Sequence, residues 1–515
     1  MNLRDALLAS LQNLPGSREF HIHVLVTSPR KHSAIFQFAQ PRPRTYLQDI
    51  LILLSEQSTP GSPRIFVTGI EASVYYIPST SCGILYVSKV DTTGHALHPS
   101  PAAILVRTLI TFYGDPKTRP IAADHLWVHL FARAQGQYLF PNSVEWAGKR
   151  PLSDVRLCAW WKRVLSEVAE ELDTRTGKKA TVELHYVLPG YTELEATNSL
   201  RAGHATSVTT NTSVSWTYGH PYSHSDIPLP CPKCSGQQQN LGHFIPCFDD
   251  DPKSRFMDEI AYTTSADSVT SPKPKRPRAF TRGEEGSSAN SPAPTVDEKD
   301  GKNNRPPLGE LGTVTPDEFW ERMSFRQECV AGAVTGFFTL AFSLPYPKEL
   351  PSSPLAPQPG QVSSQVNKRI VSSLLTGVEF STLERSIRGT EMLEGVIKGL
   401  CEDLPTPAPI VHTQNVIDFL SGSGRQTPER EEPLTTSLPG TPPNGKRQVE
   451  DVSPNPFPEP VTSLESYYSY IYGSICVRNP ATISRSGEKR TRDGNGKSEP
   501  SVTVLSVRKK KKKNN

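Results

Sequence analysis

A chain of 515 residues has room for two or three domains, but only 36% of it is hydrophobic and 48 residues are proline, so one sizeable core with unpacked linkers is expected. Taking the six cations of Arg508 to Lys513 from the net charge of +4 leaves −2, so the body is nearly neutral and a basic surface built to coat DNA is not indicated. Eight cysteines without a dense regular framework suit a reducing compartment, and the longest apolar run, Cys329 to Leu344, is broken by Gly, Thr and Ser and falls short of the roughly 20 residues that span a bilayer.

The first element in chain order is a short amphipathic helix on Leu3, Leu7, Leu8 and Leu11; Arg4 and Asp5 within it exclude the continuous apolar stretch of a secretion signal. Phe20 to Val26, Arg64 to Ile77, Gly83 to Val90, His125 to Phe131 and Thr181 to Leu188 are rich in Val, Ile and aromatics and are expected as strands. Tyr46 to Glu56, Ala102 to Tyr113 and Asp154 to Leu172 carry apolar residues at helical spacing. These elements predict a mixed α/β (α+β) fold over residues 1–263, a central mixed β-sheet surrounded by helices. Residues 264–313 are rich in Ser, Pro, Lys and Glu and too poor in large apolar groups to offset ordering entropy, which predicts a disordered insertion. Thr315-Pro316-Asp317-Glu318 then starts a helix leading into Phe319, Trp320, Met323 and Phe325. With Val330 to Leu344, a buried helix or strand, helices at Ser364 to Thr376 and Leu383 to Cys401, and Val411 to Leu420 closing the fold, it makes residues 314–420 a helical part that packs back on the core. Residues 421–500 are a low-complexity tail with an aromatic island at Tyr467, Tyr468, Tyr470 and Tyr472. Residues 501–515 join the β-prone strip Val502 to Val507 to the basic run, as a tethered docking segment would.

The strongest local signal is Phe248-Asp249-Asp250-Asp251-Pro252-Lys253-Ser254-Arg255-Phe256. Asp251 can cap a helix whose first position is Pro252. Three adjacent carboxylates also repel, so one should hold its proton more tightly, as a general base for amine chemistry must; the two roles are compatible. Lys253 falls in the first helical turn, where the dipole disfavours a cation and acetylation would remove the penalty, although an exposed lysine without a role fits equally. Trp160 and Trp161 lie about 100° apart around their helix, so either both are core or one lines a cleft. Ser88 to Gly94 turns from a strand toward the helix after Pro99, and Lys149-Arg150-Pro151-Leu152 is a second place where a phosphate could sit, though neither carries a GxGxxG or P-loop pattern. Cys231, Cys234, His243 and Cys247 have a spacing compatible with zinc or with free thiols. Lys273 to Arg278 and Arg508 to Lys513 fit nuclear import signals or solvated charge. HExxH and GxSxG are absent, which argues against the corresponding protease and hydrolase classes.

Taken in order, Val87 to Gly94, Gln137 to Pro141, Trp160-Trp161, Asp250 to Phe256, Phe319-Trp320 with Arg326-Gln-Glu328, Leu375-Thr-Gly377 and Val504-Leu505 with the basic run resemble the fungal-specific histone acetyltransferases of the regulator-of-Ty-transposition type. The resemblance implies a fold similar to the metazoan CREB-binding-protein acetyltransferases and transfer from acetyl-CoA to histone H3, at the lysine preceding the histone fold and at tail lysines. It further implies a nuclear protein working on H3–H4 with chaperones of the anti-silencing and nucleosome-assembly-protein types, linked to replication and genome stability, with no membrane or sequence-specific nucleic-acid partner. Carried over by residue, Asp251 is the proton-transfer carboxylate and Lys253 the self-acetylated lysine, while Asp250, Asp91 and Trp161 are tied to activity, Trp161 by shaping the lysine channel. Cofactor contacts fall on Val90, Asp91 and Thr92, on Pro99, Ser100, Pro101, Ala102 and Ala103, on Phe131 and Gln135, on Arg150, Pro151 and Leu152, and on Trp160. Zinc is not part of the implied site. This chain departs from the family in lacking an arginine within Pro99 to Ala103 and in the Cys/His insertion before Asp249. A non-catalytic histone or chaperone adaptor acting through the basic tail is the rival reading.

Overall fold

The structure, a computed structural model, describes residues 2–59, 61–177, 179–202, 214–223, 225–233, 239–262, 308–326, 333–344, 358–402 and 463–480. In chain order the main elements are α1 (Leu3–Leu11), β1 (Gly16–Val26), β2 (Arg30–His32), β3 (Thr45–Gln57), β4 (Ile65–Ile77), β5 (Cys82–Thr92), α2 (Ala102–Gly114), β6 (His125–Ala132), α3 (Asp154–Thr176), β7 (Thr181–Val187), α4 (Glu193–Ala202) and β8 (Trp216–Tyr218). They continue with α5 (Pro252–Tyr262), α6 (Pro316–Met323), β9 (Gly336–Ser343), α7 (Ser364–Ser372), α8 (Leu383–Glu402) and β10 (Tyr472–Asn479).

The strands form one mixed sheet in the order β10-β1-β3-β4-β5-β6-β9-β7-β8, with β2 beside β3. Pairing is antiparallel except between β5 and β6 and between β7 and β8. The expected central mixed sheet surrounded by helices is therefore present. One face is covered by α1, α2 and α3, whose Leu7, Leu11, Leu105, Leu109, Val164 and Leu165 pack on Ile22, Ile50, Val87 and Val128. On the other face, α7 and α8 cover Leu51, Leu53 and Phe66, while α5 and α6 cover the region of Phe337.

Two-faced burial explains one overturned expectation. Tyr46 to Glu56 is not a helix but part of β3, with Tyr46, Ile50, Ile52 and Leu54 facing the first layer and Leu47, Leu51 and Leu53 the second. A strand apolar on both sides loses the alternation that identifies it. Within Cys329 to Leu344, Gly336–Ser343 is strand β9, inserted between β6 and β7, and residues 329–332 lie outside the described residues. Ser364 to Thr376 is α7 continued by a π-turn over Ser373–Gly377. Of the expected insertion, residues 308–313 are ordered instead, with Leu311 buried beside Phe319, and residues 264–307 lie outside the described residues. The tail expectation is corrected too: Tyr467 and Ile471 enter the second core layer and β10 pairs antiparallel with β1 from Gly16↔Asn479 to His23↔Tyr472. Val411 to Leu420, Lys273 to Arg278 and residues 501–515 lie outside the described residues.

Arg4 holds the β10 segment by donating to the carbonyls of Tyr468 and Tyr472 at 2.8 and 2.9 Å. Ending the chain after residue 462 would uncover the whole edge of β1. The expected result is a lower melting temperature and concentration-dependent self-association, read by thermal denaturation and light scattering. An unchanged melt would show that the strand adds nothing to the fold.

Candidate active site

Asp251 is wholly buried and its Oδ1 accepts the backbone N–H of Lys253 at 2.8 Å, so the carboxylate caps α5 as its sequence suggests. Its Oδ2 accepts from the Lys253 ammonium at 2.5 Å. Lys253 is only 3% exposed, which removes the reading of an idle surface lysine. The expected mutual repulsion of three carboxylates is replaced by a different arrangement: Asp249 and Asp250 are exposed, Asp250 has a left-handed φ of 61°, and Asp251 alone turns inward to a cation.

Aromatic rings surround this pair. The Lys253 nitrogen lies 4.8 Å from the Phe337 ring centre and 5.8 Å from that of Phe248, which stacks on Tyr86 at 4.0 Å. A narrow cleft of only about 10 Å³ opens beside Lys253 and is lined by His129, His185, Tyr222, Trp320, Phe337 and Thr339 among others. Burial, then the Asp251 charge, pushes the Tyr222 phenol upward. Burial and the neighbouring Lys253 lower His129 to about 3, so its imidazole is neutral. His220 Nε2 donates to Asp317 at 2.9 Å and its Nδ1 accepts the Tyr222 N–H at 3.2 Å, which ties the cleft wall to α6.

Asp91 is placed as an organiser. Its Oδ2 accepts the backbone N–H groups of Tyr138, Leu139 and Phe140 at 2.7, 2.8 and 3.1 Å. Its Oδ1 accepts from Thr92 N–H and from the Lys149 ammonium, both at 2.8 Å. Burial lowers the Lys149 pKa and Asp91 opposes that. The segment bearing Lys149 can approach only because residue 94 is glycine: a Cβ there would stand 2.6 Å from the Lys149 backbone, and φ is +87°.

The other sequence-derived positions gather at one rim. Val90, Asp91 and Thr92 end β5, and Phe131 sits near the end of β6, the two parallel neighbours; Pro99 to Ala103 open α2 and Arg150 to Leu152 precede α3. The N-cap residues of α2 and α3, Pro101 and Ser153, make no side-chain cap bond, though the Ser100 hydroxyl accepts the Ala102 N–H at 3.4 Å, and Pro99, Ser100 and Arg150 are exposed. The carboxyl ends of parallel strands beside helix starts are a setting that suits a nucleotide diphosphate. Gln135, Pro151 and Leu152 are exposed at the same rim, while Val90, Ala103 and Trp160 are partly buried against the first core layer. Phe131 lies 6.2 Å from Phe337 and so connects this rim to the Asp251–Lys253 pair.

Trp161 is not brought to that pair. It is 5% exposed in the first core layer, edge-on to Trp160 at 4.8 Å, whereas Phe248 and Lys253 pack on the opposite face of β6. Of the Cys/His group, His243 is engaged with Asn240 and Gln40 and Cys234 lies outside the described residues; among the described residues no His/Cys/Asp/Glu group could hold a metal ion. The cleft residues His129, His185, His220, Tyr222 and Thr339 were not signalled by any motif.

A model of the histone acetyltransferase KAT11-type domain matches residues 117–395. Histone acetyltransferase rtt109 of Aspergillus flavus is 30% identical over 311 residues, covering 55% of this chain and 46% of the relative. The protein of the same name from Schizosaccharomyces pombe is 25% identical over 301 residues, covering 56% and 58%. The chain thus spans about half the length of the curated relatives it matches. The solved structure of Rtt109 from Aspergillus fumigatus superposes with a TM-score of 0.56 at 22% identity over 78% of this chain and 96% of that one, a likeness of fold.

Proposed function

The chain belongs to the KAT11-type histone acetyltransferases, and on that premise we propose that it transfers acetyl from acetyl-CoA to lysines of histone H3, presented as H3–H4 by a histone chaperone of the anti-silencing or nucleosome-assembly-protein type. We place it in the nucleus, where acetylation of new histones serves nucleosome assembly, replication and genome stability. The observation that carries the reading is the buried Asp251 carboxylate holding a lysine ammonium at 2.5 Å in an aromatic cleft, joined through Phe337 and Phe131 to the carboxyl end of β6.

The substrate amine attacks the thioester carbon, the C–S bond breaks, and coenzyme A leaves as a thiolate that is then protonated. The incoming ammonium must first lose a proton, and Asp251 is the carboxylate placed to take it. While Lys253 is charged, however, Asp251 is already paired. Acetylation of Lys253 removes that cation and releases the buried carboxylate from its ion pair, so self-acetylation converts a salt-bridge partner into a base. A cysteine acyl-enzyme is disfavoured, since burial pushes the Cys158 and Cys247 thiols up to about 12. Asp91 acts by positioning the loop that borders the coenzyme crevice, and Arg150 and the starts of α2 and α3 would meet its phosphates.

Incubation with acetyl-CoA and a chaperone–H3–H4 complex, followed by mapping of acetylated sites by mass spectrometry, tests the proposal. H3 lysines and Lys253 are expected to be modified, with an initial lag in histone acetylation that vanishes after pre-incubation with acetyl-CoA. Histone binding without acetyl incorporation would favour the adaptor acting through residues 501–515.

A further inference from the structure

Phe20, Ile22 and Val24 of β1 and Ile50, Ile52 and Leu54 of β3 lie in the first core layer, and the next positions on that face, Arg18 and Glu56, are charged. Phe20 stands opposite Glu56, so Arg18 is its diagonal neighbour. Val477 of β10 stands opposite Arg18 and is itself 3% exposed, which closes the sheet edge beside the pair. The Arg18 and Glu56 side chains are 0% and 4% exposed. A buried ion pair gains little over well-packed apolar side chains of the same size, so stability alone gives no reason for charges here. Their bonds lead to one turn. Arg18 donates from Nη1 to the Leu97 carbonyl at 2.9 Å and to Glu56 Oε1 at 3.4 Å, and from Nη2 to the Pro99 carbonyl at 3.2 Å. Glu56 Oε2 accepts the Leu97 N–H at 3.3 Å. Leu97, His98, Pro99 and Ser100 are exposed, and α2 begins at Ala102. A planar guanidinium that spans two carbonyls two residues apart fixes the backbone of such a surface turn as a single ammonium could not.

We infer that Arg18 and Glu56 are positioning residues for coenzyme binding, holding the turn at Leu97 to Pro99 so that the start of α2 meets the diphosphate in one arrangement. This rests on the acetyl-transfer reading above, in which the start of α2 contacts the coenzyme phosphates. A turn fixed in advance spares the ordering cost that a loose one would subtract from the binding free energy. The pair therefore acts on affinity for the coenzyme and leaves the chemistry at Asp251 alone. Neither side chain touches the coenzyme, because both are sealed beneath the turn they hold.

The test compares the full chain with Arg18→Met and with the pair Arg18→Met, Glu56→Met, by calorimetric titration of acetyl-CoA, steady-state acetylation of H3–H4 and thermal denaturation. Arg18→Met leaves Glu56 buried without its cation and should lower the melting temperature; the double variant removes both charges and should recover it. Both variants are expected to raise the Kd and KM for acetyl-CoA roughly 10- to 100-fold, with kcat at saturating acetyl-CoA and the KM for H3–H4 unchanged. An unchanged acetyl-CoA Kd in either variant would overturn the inference, and so would an affinity that returns with the melting temperature in the double variant, or a loss confined to kcat. If the unsubstituted chain binds no acetyl-CoA, the acetyl-transfer reading itself fails.

Discussion

Asp251→Asn is expected to reduce acetylation of H3–H4 by about 10²- to 10⁴-fold, the range for loss of a positioned acid–base group, and at the same time to weaken the fold. The two effects have different origins. Asparagine keeps an oxygen for the Lys253 N–H and so preserves the helix cap, but it leaves the Lys253 ammonium buried without a counter-charge. Removing one member of a buried pair typically costs about 3–5 kcal/mol, which urea unfolding would detect. Adding Lys253→Met to Asp251→Asn takes away the orphaned charge and should restore most of the stability while acetylation stays absent. Lys253→Gln alone resembles the acetylated side chain, so it should remain active and show no lag. Recovery of acetylation in the Asp251→Asn, Lys253→Met pair would reduce Asp251 to a structural role.

The parts of this site that were legible in the sequence are those governed by local rules. Pro252 after an acidic residue announces a helix start, and Asp251 is found capping it. The carboxylate's burial and its pairing with Lys253 were hidden, because they depend on α5 docking against β6 and β9, far away in the chain. The same holds for His129, Thr339 and His185. Each looks like an ordinary strand residue until strand order is known, and β9 enters the sheet between strands that precede it by many residues. Tyr46 to Glu56 failed for a complementary reason: burial on both faces erased its period. Tyr467 to Tyr472 lies within low-complexity surroundings that mask it, yet an aromatic cluster is what a terminal segment needs in order to dock, and His21 and His23 meet it through the Tyr472 and Tyr467 hydroxyls at 2.7 and 3.0 Å.

Asp91→Ala should be the most damaging change outside the cleft, and the argument is a count of donors. Asp91 accepts from three consecutive loop amides, from Thr92 and from Lys149, so one substitution strands five donors, with Lys149 Nζ, also held by Ser143 at 2.7 Å, the only charged one. A buried ammonium without its carboxylate again implies about 3–5 kcal/mol, and the freed amides add to that wherever water does not reach them. Asn in its place should be almost as harmful, because every contact is a donor and the new NH₂ group would face donors on one side or the other. The segment that loses its anchor runs from Tyr138 to Lys149 and leads into Arg150 to Leu152, so affinity for acetyl-CoA should fall together with stability. Calorimetric titration of acetyl-CoA beside urea unfolding checks both. Adding Lys149→Met should recover part of the stability, since it removes the orphaned cation, but not the coenzyme affinity, since the three loop amides stay unanchored. If Asp91→Ala bound acetyl-CoA as tightly as the unsubstituted protein, the loop anchored by Asp91 at the end of β5 would not border the coenzyme site.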